Sequence, residues 1–271
     1  GLGMPRVFVS ASEEAFKNAV VDEIHSVLRM TTSDRRIVSV GLSGLFFGLF
    51  HFTLIPLKGG SMPFQISPGL IALSDVDWSR VHFFFCDERV VPFDDPESTF
   101  GVYQRTLFSK LSPAPVVHKI DPTVTTTEVA ELYQNDILEF FGAENGYPVF
   151  DLILLGIGPD GHTCSLFPRH KLLEVRLSKI ENLVVAPITD SPKPPPNRVT
   201  LTLPVINKAN KVMFIVTGAN KAEVIKAFTL QKIIEDDHPS VMYPASMVQP
   251  LASKPSWHLD GAAAKLLTSA K

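Results

Sequence analysis

Four short stretches of the chain are apolar at nearly every residue: IVSV (Ile37–Val40), VHFFF (Val81–Phe85), LILL (Leu152–Leu155) and VMFIV (Val212–Val216). A strand with one wet face alternates apolar and polar side chains. A strand covered on both faces does not, and such strands belong mainly to parallel sheets. The intervening sequence supplies the cover. Ala11–Met30 carries apolar residues at helical spacing behind the candidate caps Ser10 and Ser12, and Glu97–Leu111, Thr125–Phe141 and Ala219–Ile234 also read as helices. Strands alternating with helices predict an α/β chain, a three-layer α/β/α arrangement with a mainly parallel, Rossmann-like sheet. LVVAPI, RVTLTLP and KVMFIVTG read as three further β-rich runs, and Val81–Phe93 reads as one strand with charge at its carboxyl end. No internal repeat is visible, and the linker-like SPKPPPNR (Ser191–Arg198) is too short to divide domains, so residues 1–271 are expected to form one domain.

Composition narrows the function. With 45% hydrophobic and 20% charged residues, the chain is that of an ordinary globular protein. A net charge of −3 offers no general attraction to nucleic acid or anionic membrane, so neither is expected as a partner and any anion site must be built locally. Cys86 and Cys164, the two cysteines, are too few for a disulfide framework and fit a reducing compartment. The first residues, GLGMPRVFVS, lack a charged-then-apolar signal pattern, and a cytoplasmic location is expected.

In open parallel sheets, ligands bind beyond the carboxyl ends of the strands. Three strands end in chemically capable turns: GLSG (Gly41–Gly44), CDER (Cys86–Arg89) and GPDGH (Gly158–His162). His162 is the candidate general base, since a neutral imidazole accepts a proton near pH 7. Asp160 or Asp87 could orient it. Gly158 and Gly161 permit a tight turn whose amide N–H groups are expected to face an oxyanion. The competing reading makes His162 the cap of a helix starting near Thr163. Cys164 two residues on would then point to another face, as a packing residue and not a nucleophile. No HExxH or CxxC spacing occurs, so no metal is expected. Arg89, Lys193 and Arg198 are candidate anion ligands, the last two flanking a stiff triple proline, and the Gly41–Gly44 turn offers backbone donors. Singly each basic residue reads as solvated surface charge. Together, at strand ends, they point to a phosphorylated ligand.

GIGPDGHTCSLFP, CDERVVPFDDPEST and SPKPPPNRVTLTLP, in this order, resemble the 6-phosphogluconolactonases of the animal type, and the resemblance runs from Val7 to about Leu267. It implies a carboxylic ester hydrolase converting 6-phospho-D-glucono-1,5-lactone to 6-phospho-D-gluconate, the second step of the oxidative pentose phosphate pathway. The implied enzyme is cytosolic, needs no metal or other cofactor, is a monomer or weak homodimer, and folds like glucosamine-6-phosphate deaminase and ribose-5-phosphate isomerase. On this resemblance His162 activates water, with Asp87 and Asp160 beside it. Arg89, Lys193 and Arg198 grip the phosphate, together with a loop formed by Ser43, Gly44, Gly60 and Ser61, and Gly161 contributes a backbone contact.

One departure interrupts that loop. The family's GLSGGS is here split by LFFGLFHFTLIPLKG (Leu45–Gly59), and deleting those residues restores GLSGGSMPFQISPGLIAL. As a helix the segment would span about 22 Å at 1.5 Å per residue, short of the ~30 Å of a bilayer core, and Pro56 interrupts it, so it is no membrane anchor. It reads as an in-frame retained intron, a splice variant or a true insertion. Two alternatives to an active lactonase follow: a sugar-phosphate-binding variant impaired by residues 45–59, or a phosphosugar isomerase or deaminase. Against the latter, the deaminases resemble DGHIAFNEP at this turn and use its glutamate, whereas Ser165–Pro168 (SLFP) carries no acid.

Overall fold

A computed structural model describes residues 6–44, 62–142, 146–174, 183–230 and 239–267. The interrupting segment, Gly60 and Ser61 lie outside the described residues. In chain order the elements are β1 (Arg6–Val9), α1 (Glu13–Leu28), α2 (Met30–Ser33), β2 (Val38–Leu42), α3 (Met62–Ile71), β3 (Val81–Phe85), β4 (Asp87–Arg89), α4 (Thr99–Thr106), β5 (Val116–Val117), α5 (Thr126–Phe141), β6 (Leu152–Leu155), β7 (Val185–Ile188), β8 (Arg198–Leu201), α6 (Leu203–Ile206), β9 (Val212–Val216), α7 (Ala222–Leu230) and β10 (Ser256–Leu259).

Seven strands form one sheet in the order β1-β10-β9-β6-β2-β3-β5, with every pairing parallel. Side chains alternate between two buried cores. Phe84, Ile153, Leu155 and Phe214 pack with Val129, Tyr133 and Ile137 of α5 on one face. Phe83, Phe85, Leu152, Leu154 and Met213 pack with Phe16, Val20 and Ile24 of α1, Ile66 of α3 and Tyr103 of α4 on the other. Both faces being dry is why these strands carry no polar alternation.

Local chemistry fixes the helix ends. Ser12 caps α1 through its Oγ, 3.1 Å from the Ala15 amide. Thr125 and Glu128 form a reciprocal capping box on α5, which stops at Gly142 in the left-handed conformation (φ +60°).

One expectation is revised and one competing reading falls. Val81–Phe93 is not one strand: the chain bends at Cys86 and β4 leaves the parallel sheet for a second, antiparallel sheet ordered β4-β8-β7. Cys86 joins the two sheets, donating to Leu42 O at 2.7 Å and accepting from the Leu201 amide at 2.7 Å. Turning into the second sheet places Asp87 and Glu88 against amides and hydroxyls. Likewise no helix starts at Thr163. Thr163 and Leu166 form an isolated bridge around Cys164, which is buried with φ +50°.

Candidate active site

Sheet order reverses between β6 and β2: from β2 the chain proceeds to β3 and β5 on one side, and from β6 to β9 and β10 on the other. Connections leaving adjacent carboxyl ends in opposite directions open a crevice, the usual ligand site of such sheets. The Ser43 amide donates to Leu154 O at 3.0 Å, so the ends of β2 and β6 are in contact there.

The β6 end is the GPDGH turn. Gly161 N–H donates to Gly158 O at 2.9 Å and Gly158 N–H to His162 O at 2.8 Å. The turn therefore uses the two amides that were expected to face an oxyanion. Both glycines are required. A Cβ on Gly158 would lie 2.0 Å from His162 Nδ1, and Gly161 has φ +86° with Tyr243 2.7 Å from where its Cβ would stand. His162 is 3% exposed, and its Nδ1–H is 2.5 Å from Asp160 Oδ1. This bond fixes the tautomer that leaves Nε2 as the proton acceptor. Burial lowers the His162 pKa from its ordinary value, the Asp160 anion raises it, and Lys193 lowers it again, with a net downward shift. Burial raises the Asp160 carboxyl, but the His162 hydrogen bond and the His162 and Lys193 charges outweigh it and hold the acid well below its ordinary range. A neutral base paired with an ionised carboxylate is the resting state at neutral pH.

Asp87 has a different job from Asp160. Its Oδ1 accepts from Ser43 Oγ at 3.2 Å and Gly44 N–H at 3.0 Å, and its Oδ2 accepts from Ser165 Oγ at 3.0 Å. It thus ties the β2 end, β4 and the segment after His162 together. Its charge favours protonated His162 from a distance, while the ring's orientation comes from Asp160.

The cations line the second sheet. Arg89 and Arg198 face each other in the β4–β8 register. Arg89 is 6% exposed, and its Nη1 donates to Glu97 Oε2 at 2.7 Å and Glu97 O at 3.2 Å. Arg198 is 3% exposed and donates to the carbonyls of Lys193, Pro194 and Pro195, each at 3.1 Å. Burial and the neighbouring Arg89 lower its pKa to about 10, so it stays charged. Lys193, on the loop held in this way, places Nζ 3.2 Å from Asp160 Oδ2. Among the described residues no group of three histidines, cysteines or acids is arranged to hold a metal.

Residues 51–257 match the family model described as glucosamine-6-phosphate isomerases/6-phosphogluconolactonase. The chain belongs to that family. It is 46% identical to the human 6-phosphogluconolactonase over 222 residues, covering 82% of this chain and 80% of that one. A solved 6-phosphogluconolactonase from Thermotoga maritima superposes with a TM-score of 0.70 at 25% identity, covering 94% of this chain and 99% of that one. A monomeric glucosamine-6-phosphate deaminase shares the fold, with TM-score 0.69 at 17% identity, covering 96% and 99%.

The sequence reading of this family member passed over Lys221. It follows β9 in TGANKAEV, is 7% exposed, and burial with the nearby Lys193 lowers its pKa to about 8, against the opposing pull of Asp160. The signal available was positional: another apolar strand running into a glycine turn at the same end of the sheet. Ser43 and Gly44, expected to hold phosphate, donate to Asp87 in this structure, and their expected companions Gly60 and Ser61 lie outside the described residues.

Proposed function

We propose that this chain hydrolyses 6-phospho-D-glucono-1,5-lactone to 6-phospho-D-gluconate. The reading rests on family membership and on one observation: a buried, neutral imidazole oriented by an ionised carboxylate at the sheet's switch point, with the Lys193 ammonium on the same carboxylate. His162 Nε2 takes a proton from water as its oxygen attacks the lactone carbonyl, and the imidazolium, stabilised by Asp160, returns the proton to the leaving ring oxygen. Arg89 and Lys221 hold the phosphate, and Arg198 shapes the loop beside it. A lactone is already an activated ester, so one base and firm positioning suffice.

No acid stands in the segment after His162 to assist sugar ring opening. Ser165 there is buried with its hydroxyl on Asp87, which disfavours a deaminase or isomerase. The test is turnover of the phospholactone, corrected for spontaneous hydrolysis, by the wild type and His162→Ala. Loss of about 10²–10⁴-fold in kcat is expected with 6-phosphogluconate still bound, and unchanged turnover would overturn the assignment. The same assay with residues 45–59 deleted distinguishes an enzyme silenced by that segment, which then gains activity, from one that tolerates it.

A further inference from the structure

The resemblance places Lys193 among the phosphate ligands, but the geometry gives it another neighbour. Its Nζ lies 3.2 Å from Asp160 Oδ2 and 3.3 Å from His162 Nδ1, while Asp160 Oδ1 holds the Nδ1 proton of His162 at 2.5 Å. The two oxygens of one carboxylate are therefore divided between the imidazole and the ammonium. The lysine is not a loose surface charge that happens to fall there. Ser191 Oγ donates to Lys193 O at 2.7 Å and accepts the Lys193 N–H at 3.2 Å. Buried Arg198 then fixes the next carbonyls of the loop.

We propose that Lys193 is a positioning residue for the catalytic base: it fixes the Asp160 carboxylate from its far oxygen and, as a cation beside the ring, keeps His162 in its neutral, proton-accepting form. This rests on the reading of His162 as the base. Ionised Asp160 alone would make the imidazole more basic and populate the protonated, inactive ring; a lysine on the same carboxylate offsets that while preserving the orienting hydrogen bond. Among the described residues, the charged groups acting on His162 include Asp160 from its own turn, Asp87 from β4 and Lys193 from the β7–β8 loop, and Lys221 after β9 acts on Lys193 and Asp160. The neutral Phe167 ring lies 4.9 Å away. Burial and Lys193 disfavour imidazolium, and the two aspartates favour it.

The experiment follows the His162 ring by NMR across pH in the resting protein, alongside kcat/KM against pH for 6-phospho-D-glucono-1,5-lactone and for unphosphorylated D-glucono-1,5-lactone. Lys193→Met is expected to move the His162 midpoint upward and to move the acid limb of kcat/KM upward with it for both lactones. Lys193→Arg keeps the charge and stays near the wild-type midpoint. Lys193→Gln is a second neutral variant should methionine disturb the fold. An unmoved midpoint, with KM raised for the phosphorylated lactone alone, would overturn the proposal and return Lys193 to the phosphate. Absence of lactone turnover by the wild type would refute the lactonase reading, and the NMR midpoints would still decide the role of Lys193.

Discussion

Replacing Asp160 with asparagine keeps the shape of the side chain and removes the charge that orients the base. In the wild type Asp160 Oδ1 accepts the Nδ1 proton of His162 at 2.5 Å. The asparagine amide can instead donate to Nδ1, which favours the tautomer with the ring proton on Nε2 and depletes the form whose Nε2 accepts a proton. A hydrogen bond to a charged group contributes about 1.5–3 kcal/mol. The Asp160 side chain is 35% exposed, so solvent screening places the loss at the lower end, about 1.5–2 kcal/mol. That corresponds to about a 10–30-fold fall in kcat, with KM nearly unchanged because Asp160 does not hold the phosphate. The pH dependence has a definite sign. Asp160 raises the His162 pKa, so its removal moves the acid limb of kcat/KM to lower pH even as the plateau falls. Hydrolysis of the lactone to a carboxylic acid releases one proton, so a pH indicator reads the rate at fixed pH, and NMR loss of lactone signal covers the full range. An unchanged kcat, or a loss confined to KM, would refute the orienting role.

Other outcomes are equally checkable. Arg89→Ala should raise KM for the phosphorylated lactone by about 10–100-fold, the value of one charge-assisted phosphate contact, and leave the unphosphorylated lactone unaffected; an equal loss with both would place Arg89 elsewhere. Glu23 accepts from Ser256 and His258 at 2.5 Å each, from Lys211 at 3.0 Å and from Arg6 at 3.3 Å. Burial raises its pKa, but these bonds outweigh that and bring it from 4.5 to about 2. Because the folded pKa is depressed, the stability from Glu23 is present above pH 4.5 and is lost as pH falls through 2. Denaturant titrations should therefore show about 3 kcal/mol of acid-sensitive stability in the wild type over that window, absent in Glu23→Gln.

The central strands were readable because burial on both faces leaves no choice of residue type: Val38, Val40, Phe83, Leu154 and Phe214 are each at most 1% exposed. The outer ones were not. β10 reads SWHL, and its buried Ser256 and His258 make sense only through Glu23, 233 residues away from Ser256 in sequence. The break at Cys86 left no mark because VHFFFCDERVVPF stays β-compatible throughout. What divides it is hydrogen bonding to two different sheets, a tertiary fact. At the site, residue types at strand ends nominated His162, Asp160 and Arg89, and the stiff proline loop nominated Lys193 and Arg198. Their roles depended on partners. Asp87 and Asp160 are equivalent in sequence logic, and only the donors around them separate a tie between loops from an orienter of the base. Lys221 escaped because a lysine at a helix start reads as solvated until its burial is seen.

On the proposed reading, the base and Arg89 stand on different sheets because their demands differ. A base must be held rigidly and largely dry, which the switch point of a buried parallel sheet provides. A phosphate grip needs several cations close together, and these repel one another and resist burial. In the second sheet that cost is met group by group. Arg89 takes Glu97, Arg198 takes three carbonyls, and buried Glu88 accepts the amides of Arg89, Thr99 and Phe100 at 2.8–2.9 Å at the start of α4. Burial raises Glu88 to about 7, while those amide donors pull it the other way. Cys86 couples the halves through one hydrogen bond to each sheet, and it sits so close to β2 that a Cβ on Gly41 would lie 2.9 Å from its sulfur. The end of β2, beside β6, is thus fixed against β4 and β8 by packed backbone.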